Sequence, residues 1–279
     1  MSTDGVILYD KEPGVTSHDV VARVRRRFPK GTKVGHAGTL DPFATGLLLV
    51  LVGRATRVQR LLMGLPKRYE TEARFGATST TGDPEGVIVE TGVLPVGALA
   101  LPTGTIAQVP PAYSAVKVNG RRAYELARAG VAVELKAREI EVYAFDELWQ
   151  RGDRRAFAIR CSSGTYIRSL VMGLGDAYCA ELRRTHIGAF DVADADPERI
   201  LSLNDALAHL PEVRLEAEDA KRAGYGAAVP GPSAEATPAG SLSLVRGGQP
   251  IRLVDSAGLI AIAESTDDGG LKPVIGFRG

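Results

Sequence analysis

Gly35-His36-Ala37-Gly38-Thr39-Leu40-Asp41-Pro42-Phe43-Ala44-Thr45-Gly46 runs directly into Leu47-Leu48-Leu49-Val50-Leu51-Val52. The apolar run is far too short to span a bilayer and reads as a buried strand. The loop before it holds three glycines in twelve residues, which lets backbone approach a ligand closely. Its Asp-Pro step favours a turn. Asp41 is therefore expected at the lip of a rigid sheet, where a carboxylate can act as nucleophile or base. Taken alone, an Asp-Pro pair is more often turn punctuation.

Working outward, Gly5 to Asp10 reads as a short strand, and Ser17 as the N-cap of a helix. Val20, Val21, Val24 and Phe28 form that helix's apolar face, arginines occupy the other, and Pro29 closes it. A second helix is expected from about 55 to 63, ended by Gly64 and Pro66. Lys67 to Gly76 then alternates with period two, Tyr69, Thr71, Ala73 and Phe75 against Arg68, Glu70, Glu72 and Arg74, which marks a half-buried strand. Tyr69 and Asp41 both fall near strand ends, where a cleft forms. Gly82-Asp83-Pro84 sits in a polar turn over 78–86, and the prolines and glycines of 92–110 exclude an uninterrupted helix. Further on, the pattern predicts a helix over 122–128 capped by Gly130, strands over 131–149 and 156–161 joined at Gly152-Asp153, and helices over 165–180 and 203–210. Past Pro211 the texture changes to short strand candidates at 241–245, 250–254 and 259–263 behind a glycine-rich loop at 224–240. We place a domain boundary there, with a large unit over 1–210 and a small β-rich one over 211–279.

Composition sets bounds. The chain has 279 residues, 44% apolar and 24% charged, as an ordinary globular protein does. The start carries no secretory signal and nothing predicts a membrane span. Two cysteines and four scattered histidines assemble no convincing metal site, so a reduced, cytoplasmic protein with no metal is expected. Net charge is only +1, but basic residues cluster at 23–33, 67–68, 121–122, 151–155 and 183–184, and residues 215–279 are slightly acidic with 6 Lys or Arg against 8 Asp or Glu. Such clusters permit nucleic-acid binding without demanding it.

The Asp41 loop resembles the catalytic-aspartate motif of the TruB family of tRNA pseudouridine synthases. Four further blocks resemble that family in the same order: Asp10-Lys11 to Ser17, Lys67-Arg68-Tyr69, Pro110 to Tyr124, and Ser163-Gly164-Thr165-Tyr166-Ile167-Arg168. The likeness is strong over about residues 5–190. It implies an α+β pseudouridine synthase fold, a mixed and mainly antiparallel central sheet flanked by helices, followed by a PUA-like domain. An RNA-gripping insertion would lie over about 92–138, shorter than is usual in the family. Two positions depart from the pattern: Lys11-Glu12-Pro13 stands where Lys-Pro is usual, and Ser163 stands where lysine is common.

The implied reaction breaks the C1′–N1 bond of a uridine, turns the base and joins C1′ to C5. Glycosidic cleavage develops positive charge on the sugar, which a carboxylate can stabilise or trap. The resemblance assigns that role to Asp41, whether by attack on the base, attack on C1′, or proton loss from C2′. It gives Arg168 the task of orienting Asp41 and lowering its pKa through a bidentate contact. Tyr69 would stack on the extruded base. The substrate would be the T-loop uridine at position 55 of tRNA, and flipping it out costs a few kcal/mol of unstacking. His36 would fill the gap left in the RNA loop, and Asp83 would hold the flipped nucleotide or the arginine network. Lys11 would brace the catalytic loop. Tyr166, Lys67, Arg68, Lys117 and Arg121 complete the expected substrate contacts, and Tyr113, Arg122 and Tyr124 add to a mixture of aromatic and basic side chains suited to gripping RNA. No cofactor, membrane or protein partner is implied, and a monomer is expected. The rival reading is a non-catalytic RNA-binding or tRNA-folding module on the same fold. Ser114-Ala115-Val116-Lys117 also spells the S-x-x-K of serine acyltransferases, but the companion S-D-N and K-T-G motifs are missing.

Overall fold

The computed structural model describes residues 4–114, 116–118, 120–128, 131, 135–231 and 248–278. The chain opens with β1 (Gly5–Lys11), α1 (Ser17–Arg25), β2 (Val34–His36) and β3 (Thr45–Val52). A 3-10 turn over Gly53–Val58 leads to α2 (Gln59–Met63), β4 (Lys67–Phe75) and the small hairpin of β5 (Ala77–Ser79) and β6 (Ile88–Glu90). Then come β7 (Gly104–Gln108), the short strands β8 (Lys117–Val118) and β9 (Arg121–Arg122), and α3 (Ala123–Arg128). The long hairpin of β10 (Arg138–Arg151) and β11 (Arg154–Cys161) precedes α4 (Ile167–Met172), β12 (Ala177–Ile187) and β13 (Phe190–Asp191). The last elements are α5 (Leu203–Ala206), β14 (Glu212–Arg214), α6 (Ala217–Gly224), β15 (Ile251–Asp255), β16 (Gly258–Ser265) and β17 (Leu271–Gly276).

One large sheet runs in the order β1-β3-β12-β4-β11-β10-β7, with β2 added to β3 and β13 to β12. Its pairings are antiparallel except a short parallel contact of Arg183 and Arg184 with Thr45 and Gly46. The apolar run is buried on both faces. Leu47, Leu49 and Leu51 pack with Val6, Leu8, Val58 and Leu62, whereas Leu48, Val50 and Val52 pack against Ile7 and the α1 valines 20, 21 and 24. Double burial explains the missing polar alternation, and each such side chain contributes about 1.5–3 kcal/mol. In β4 the expected alternation holds, with Tyr69, Thr71, Ala73 and Phe75 inward and Arg68 and Glu70 exposed.

Several expectations change. Thr16, not Ser17, caps α1: its hydroxyl accepts from Asp19 N at 3.1 Å while Asp19 accepts from Thr16 N at 2.9 Å, a reciprocal box that leaves Ser17 free for another task. The helix expected over 165–180 lasts only from Ile167 to Met172. Ile167, Leu170 and Val171 supply one apolar stripe, Gly173 and Gly175 then stop the helix, and the chain becomes β12. Part of the 92–110 stretch forms β7, an edge strand on Arg138–Val142, and β10 itself begins at Arg138 rather than near 131. The expected strand over 241–245, Gly130 and most of the 224–240 loop lie outside the described residues.

Residues beyond Pro211 build a second sheet, β14-β15-β16-β17, with Ala220 and Ala223 of α6 packed on it. Val254, Leu259, Ile262 and Phe277 of this part share one apolar cluster with Leu47, Leu49 and Leu51. Arg252 reinforces the contact, reaching Asn204 Oδ1 at 2.8 Å, Leu210 O at 3.2 Å and Glu212 at 3.1 Å.

Candidate active site

The glycine loop is fastened from four sides. Lys11, fully buried, donates through Nζ to Pro42 O at 3.1 Å and to the carbonyls of Glu12 and Val15 at 2.9 Å each. Ser17 Oγ accepts from Leu40 N at 2.9 Å and donates to Leu40 O at 3.3 Å. Gln59 holds His36 O at 2.7 Å, and Arg184 donates to Gly38 O and Leu47 O at 3.1 and 2.8 Å. Gly14 N reaches Pro42 O at 2.9 Å. Asp41 thus stands on a loop whose flanking carbonyls are individually tied down.

Arg168 projects from the first turn of α4 and meets Asp41. Its Nε lies 2.8 Å from Asp41 Oδ2, a close charge contact rather than an aligned hydrogen bond. The rest of the fork is spent elsewhere: Nη1 reaches Asp83 Oδ2 at 3.1 Å and Thr81 O at 2.6 Å, and Nη2 reaches Tyr113 O at 2.8 Å. Arg168 therefore does not grip Asp41 bidentately. It is shared between two carboxylates and the backbone of two loops. Its side chain is only 3% exposed, while Asp41 is 31% exposed, so the carboxylate keeps an open side. Asp83 is sealed beneath, with Oδ1 accepting from Thr81 Oγ1 and from Glu85 N.

Arg168 pulls the Asp41 pKa down, as expected, but burial outweighs it and the net shift is upward. Loss of solvent pushes the Asp41 carboxyl above its usual range, and the Asp83 charge adds to this. Arg168 and Lys11 oppose the rise without cancelling it. Burial is also the main cause behind the lowered amine of Lys11.

Tyr69 is buried in the cluster that includes Leu40, Ala44 and Leu182, directly across from Arg184 of β12. Burial raises its phenol, and the Arg184 charge works against that rise. His36 lies edge-on to His18 with ring centroids 5.4 Å apart. Burial, helped by His18 and Arg184, drives the His36 pKa down to about 4, so the ring is neutral at pH 7.

The remaining expected contacts divide. Tyr166 sits at the N-terminus of α4 under the Arg138 guanidinium, 5.0 Å from its ring centre, with its backbone N and O both bonded to the Gln108 side chain. Lys67 does not face solvent: it is 5% exposed, bonded to Met63 O and to Leu65 O at 2.5 Å, and its amine is lowered to about 8 by burial. Arg68 is exposed on the opposite face of the sheet from Tyr69, as the strand alternation dictates, and lines an outer hollow of about 500 Å³ with Glu70, Arg160 and His186. Neither presents its charge to the Asp41 side. The backbones of Lys117 and Arg121 belong to the β8–β9 hairpin, and their side chains lie outside the described residues. Ser114 lies before that hairpin and opens no helix, contrary to an S-x-x-K site.

Four residues of the site were missed in the sequence: Ser17, Gln108, Thr81 and Arg184. Ser17 and Gln108 carry no local signal, because their partners are 23 and 58 residues away. Arg184 had one: it stands two residues after Leu182, the phase of an inward-facing position in a strand.

Residues 25–167 match the model of the TruB family pseudouridylate synthase N-terminal domain. The chain belongs to the TruB family. A curated relative from Thermobifida fusca, tRNA pseudouridine synthase B, is 42% identical over 99% of this chain and 99% of its own length. The protein of that name from Aromatoleum aromaticum is 39% identical over 87% of this chain and 84% of the relative. Among solved structures, a chain from a Cbf5-Nop10-Gar1 complex superposes with a TM-score of 0.66 at 25% identity, covering 95% of this chain and 79% of that one. This TruB-family fold is the mixed, mainly antiparallel sheet expected. Among the described residues no helix is long and apolar enough to cross a membrane.

Proposed function

We propose that this enzyme isomerises the T-loop uridine at position 55 of tRNA to pseudouridine, with Asp41 as nucleophile or base. The observation that carries this is Asp41 itself: a half-exposed carboxylate on an immobilised loop, contacted at 2.8 Å by a buried arginine in a TruB-family chain. The reaction is balanced within the substrate. The C1′–N1 bond breaks, the uracil turns, C1′ bonds to C5, the C5 proton leaves and N1 gains one. No redox partner is required.

The residues act as follows. Asp41 meets the ribose–base junction, stabilising or trapping the charge that develops as the glycosidic bond breaks. Arg168 keeps its carboxyl aimed and, by offsetting part of the desolvation, favours the ionised form. Asp83 holds Arg168 from behind rather than touching the nucleotide. Tyr69 stacks under the extruded base, with its hydroxyl available for proton transfer. A neutral His36 suits insertion into the stacked gap of the RNA loop, since stacking a neutral ring avoids desolvating a charge. Lys11 braces the loop from below and does not bind RNA. Tyr166, with Arg138 over its ring, and the hairpin carrying Lys117 and Arg121 extend the RNA surface. Residues 1–210 form the catalytic domain, the 92–138 segment grips RNA, and 211–279 is a PUA-like domain. The protein works as a cytoplasmic monomer.

The test is incubation of the purified protein with a T-arm stem-loop, mapping pseudouridine by carbodiimide-blocked reverse transcription. One modification at the T-loop uridine is expected, absent with Asp41→Asn although that variant still binds the RNA. Wild-type protein that binds without forming product would favour the RNA-folding reading instead, and product from Asp41→Asn would remove Asp41 from its role.

A further inference from the structure

Arg184 is among the largest fully buried side chains in the protein, only 1% exposed, and among the described residues it forms no ion pair. A buried guanidinium without a carboxylate is costly unless each donor is used. Here they are used on the catalytic loop and its strand: Nε to Leu47 O at 2.8 Å, Nη2 to Gly38 O at 3.1 Å and Nη1 to Thr39 O at 3.4 Å. The residues at 38 and 39 are three and two positions before Asp41. On its other side Arg184 is the cross-strand partner of Tyr69, and its positive charge works against the rise that burial imposes on the phenol.

Two local features put it there. β12 carries an irregularity between Arg184 and His186, which lets His186 pair opposite the outward Arg68 while Arg184 stays inward opposite Tyr69. Gly46, at φ +103, lets β3 approach closely: a Cβ on it would stand 2.3 Å from the Arg184 carbonyl oxygen. The parallel contact of Arg184 with Gly46 therefore fixes the arginine's backbone against the end of the catalytic loop.

We infer that Arg184 is a positioning residue that sets the Asp41 loop and the Tyr69 hydroxyl at a fixed separation, so that both reach the same extruded nucleotide. This rests on the proposed synthase reaction. Arg168 aims the Asp41 carboxyl, whereas Arg184 aims the platform beneath it. The planar fork is what spans the two sides. A lysine keeps the charge but concentrates its donors on one atom, which cannot serve three carbonyls at separate places while keeping its charge beside Tyr69.

The experiment is a double-mutant cycle in single-turnover pseudouridine formation, using wild type, Arg184→Lys, Tyr69→Phe and the double variant, with RNA affinity measured in parallel. A misplacement of the order of 1 Å costs about 100-fold in the chemical step. Arg184→Lys should therefore lose about that much in rate while RNA affinity stays within a few-fold. In the Tyr69→Phe background much of that loss should vanish, because the hydroxyl being aimed is gone. Losses that multiply fully across the cycle, or a rate loss matched by the affinity loss, would overturn the inference. A second measurement needs neither activity nor the Arg184 variant. Arginine-labelled native protein should show slowly rotating, exchange-protected Arg184 Nη protons whose resonances move in Tyr69→Phe, and unchanged resonances would also overturn it. An inactive wild type would count against the proposed reaction, leaving the spectroscopic result to decide on Arg184.

Discussion

Arg168→Met is the substitution in which the geometry makes the largest demand. Asp83 is 5% exposed at its side chain and loses its only ion-pair partner among the described residues, while Thr81 O and Tyr113 O lose their donor. Breaking a buried pair from one side costs about 3–5 kcal/mol. Asp83 keeps its bonds from Thr81 Oγ1 and Glu85 N, which places the cost at the lower end, about 3 kcal/mol. For a chain of this size that corresponds to a fall in Tm of roughly 6–12 °C. Catalysis should fall by about 100-fold in the chemical step through loss of aim. The pH dependence separates the two effects. Desolvation already raises the Asp41 pKa and Arg168 is the main force opposing it, so the acid limb of the rate should move to higher pH in the variant. Stability should respond in the matching direction. A carboxyl whose folded pKa lies above its unfolded value holds its proton longer in the native state, so stability falls as pH rises through the interval between the two. Removing Arg168 widens that interval upward, so the variant should recover stability relative to wild type on acidification from neutral pH. Single-turnover rates and thermal melts from pH 5 to 8 measure both. A variant with an unmoved acid limb and an unmoved Tm would refute the reasoning.

Gly46→Ala combines a positive φ with a Cβ 2.3 Å from the Arg184 carbonyl oxygen, and should cost about 2–5 kcal/mol in a denaturant titration. Lys67 has its folded pKa lowered to about 8, so the native state releases its proton before the unfolded chain does. Stability gained from that release should build between about pH 8 and the unfolded value near 10.5, and Lys67→Met should show a flatter melting profile than wild type across that range. Truncation after Leu210 would strip Val254, Leu259, Ile262 and Phe277 from the cluster around Leu47, Leu49 and Leu51. The shortened protein should melt well below the full chain; an equal Tm would mean the shared cluster contributes little. Lowered RNA affinity alone, the effect expected of a detachable module, is not what this packing supports.

The polarity pattern made the central sheet strands legible. Leu47 to Val52 and Lys67 to Phe75 are recognisable because burial on two faces and on one face leave different periodicities in the chain. The same period separated Tyr69 from Arg68, although the two were expected to share the substrate surface. Asp41, Arg168 and Asp83 were singled out from motifs far apart in the chain, and they do meet. Short helices and edge strands were harder: one stripe of Ile167, Leu170 and Val171 fits six residues or sixteen equally well until Gly173 and Gly175 are given weight.

Local order alone determined which residues alternate, where the chain must turn, and which acidic side chain stands on a glycine-rich loop. Tertiary structure alone decided what each polar group touches. It put Ser17 on Leu40, turned Lys67 away from solvent, divided the Arg168 fork between two carboxylates, and set Arg184 beneath the catalytic loop. The reason is physical. Periodicity reports burial, which is non-directional, whereas hydrogen bonds and pKa shifts depend on distance and angle between groups that only the folded chain brings together.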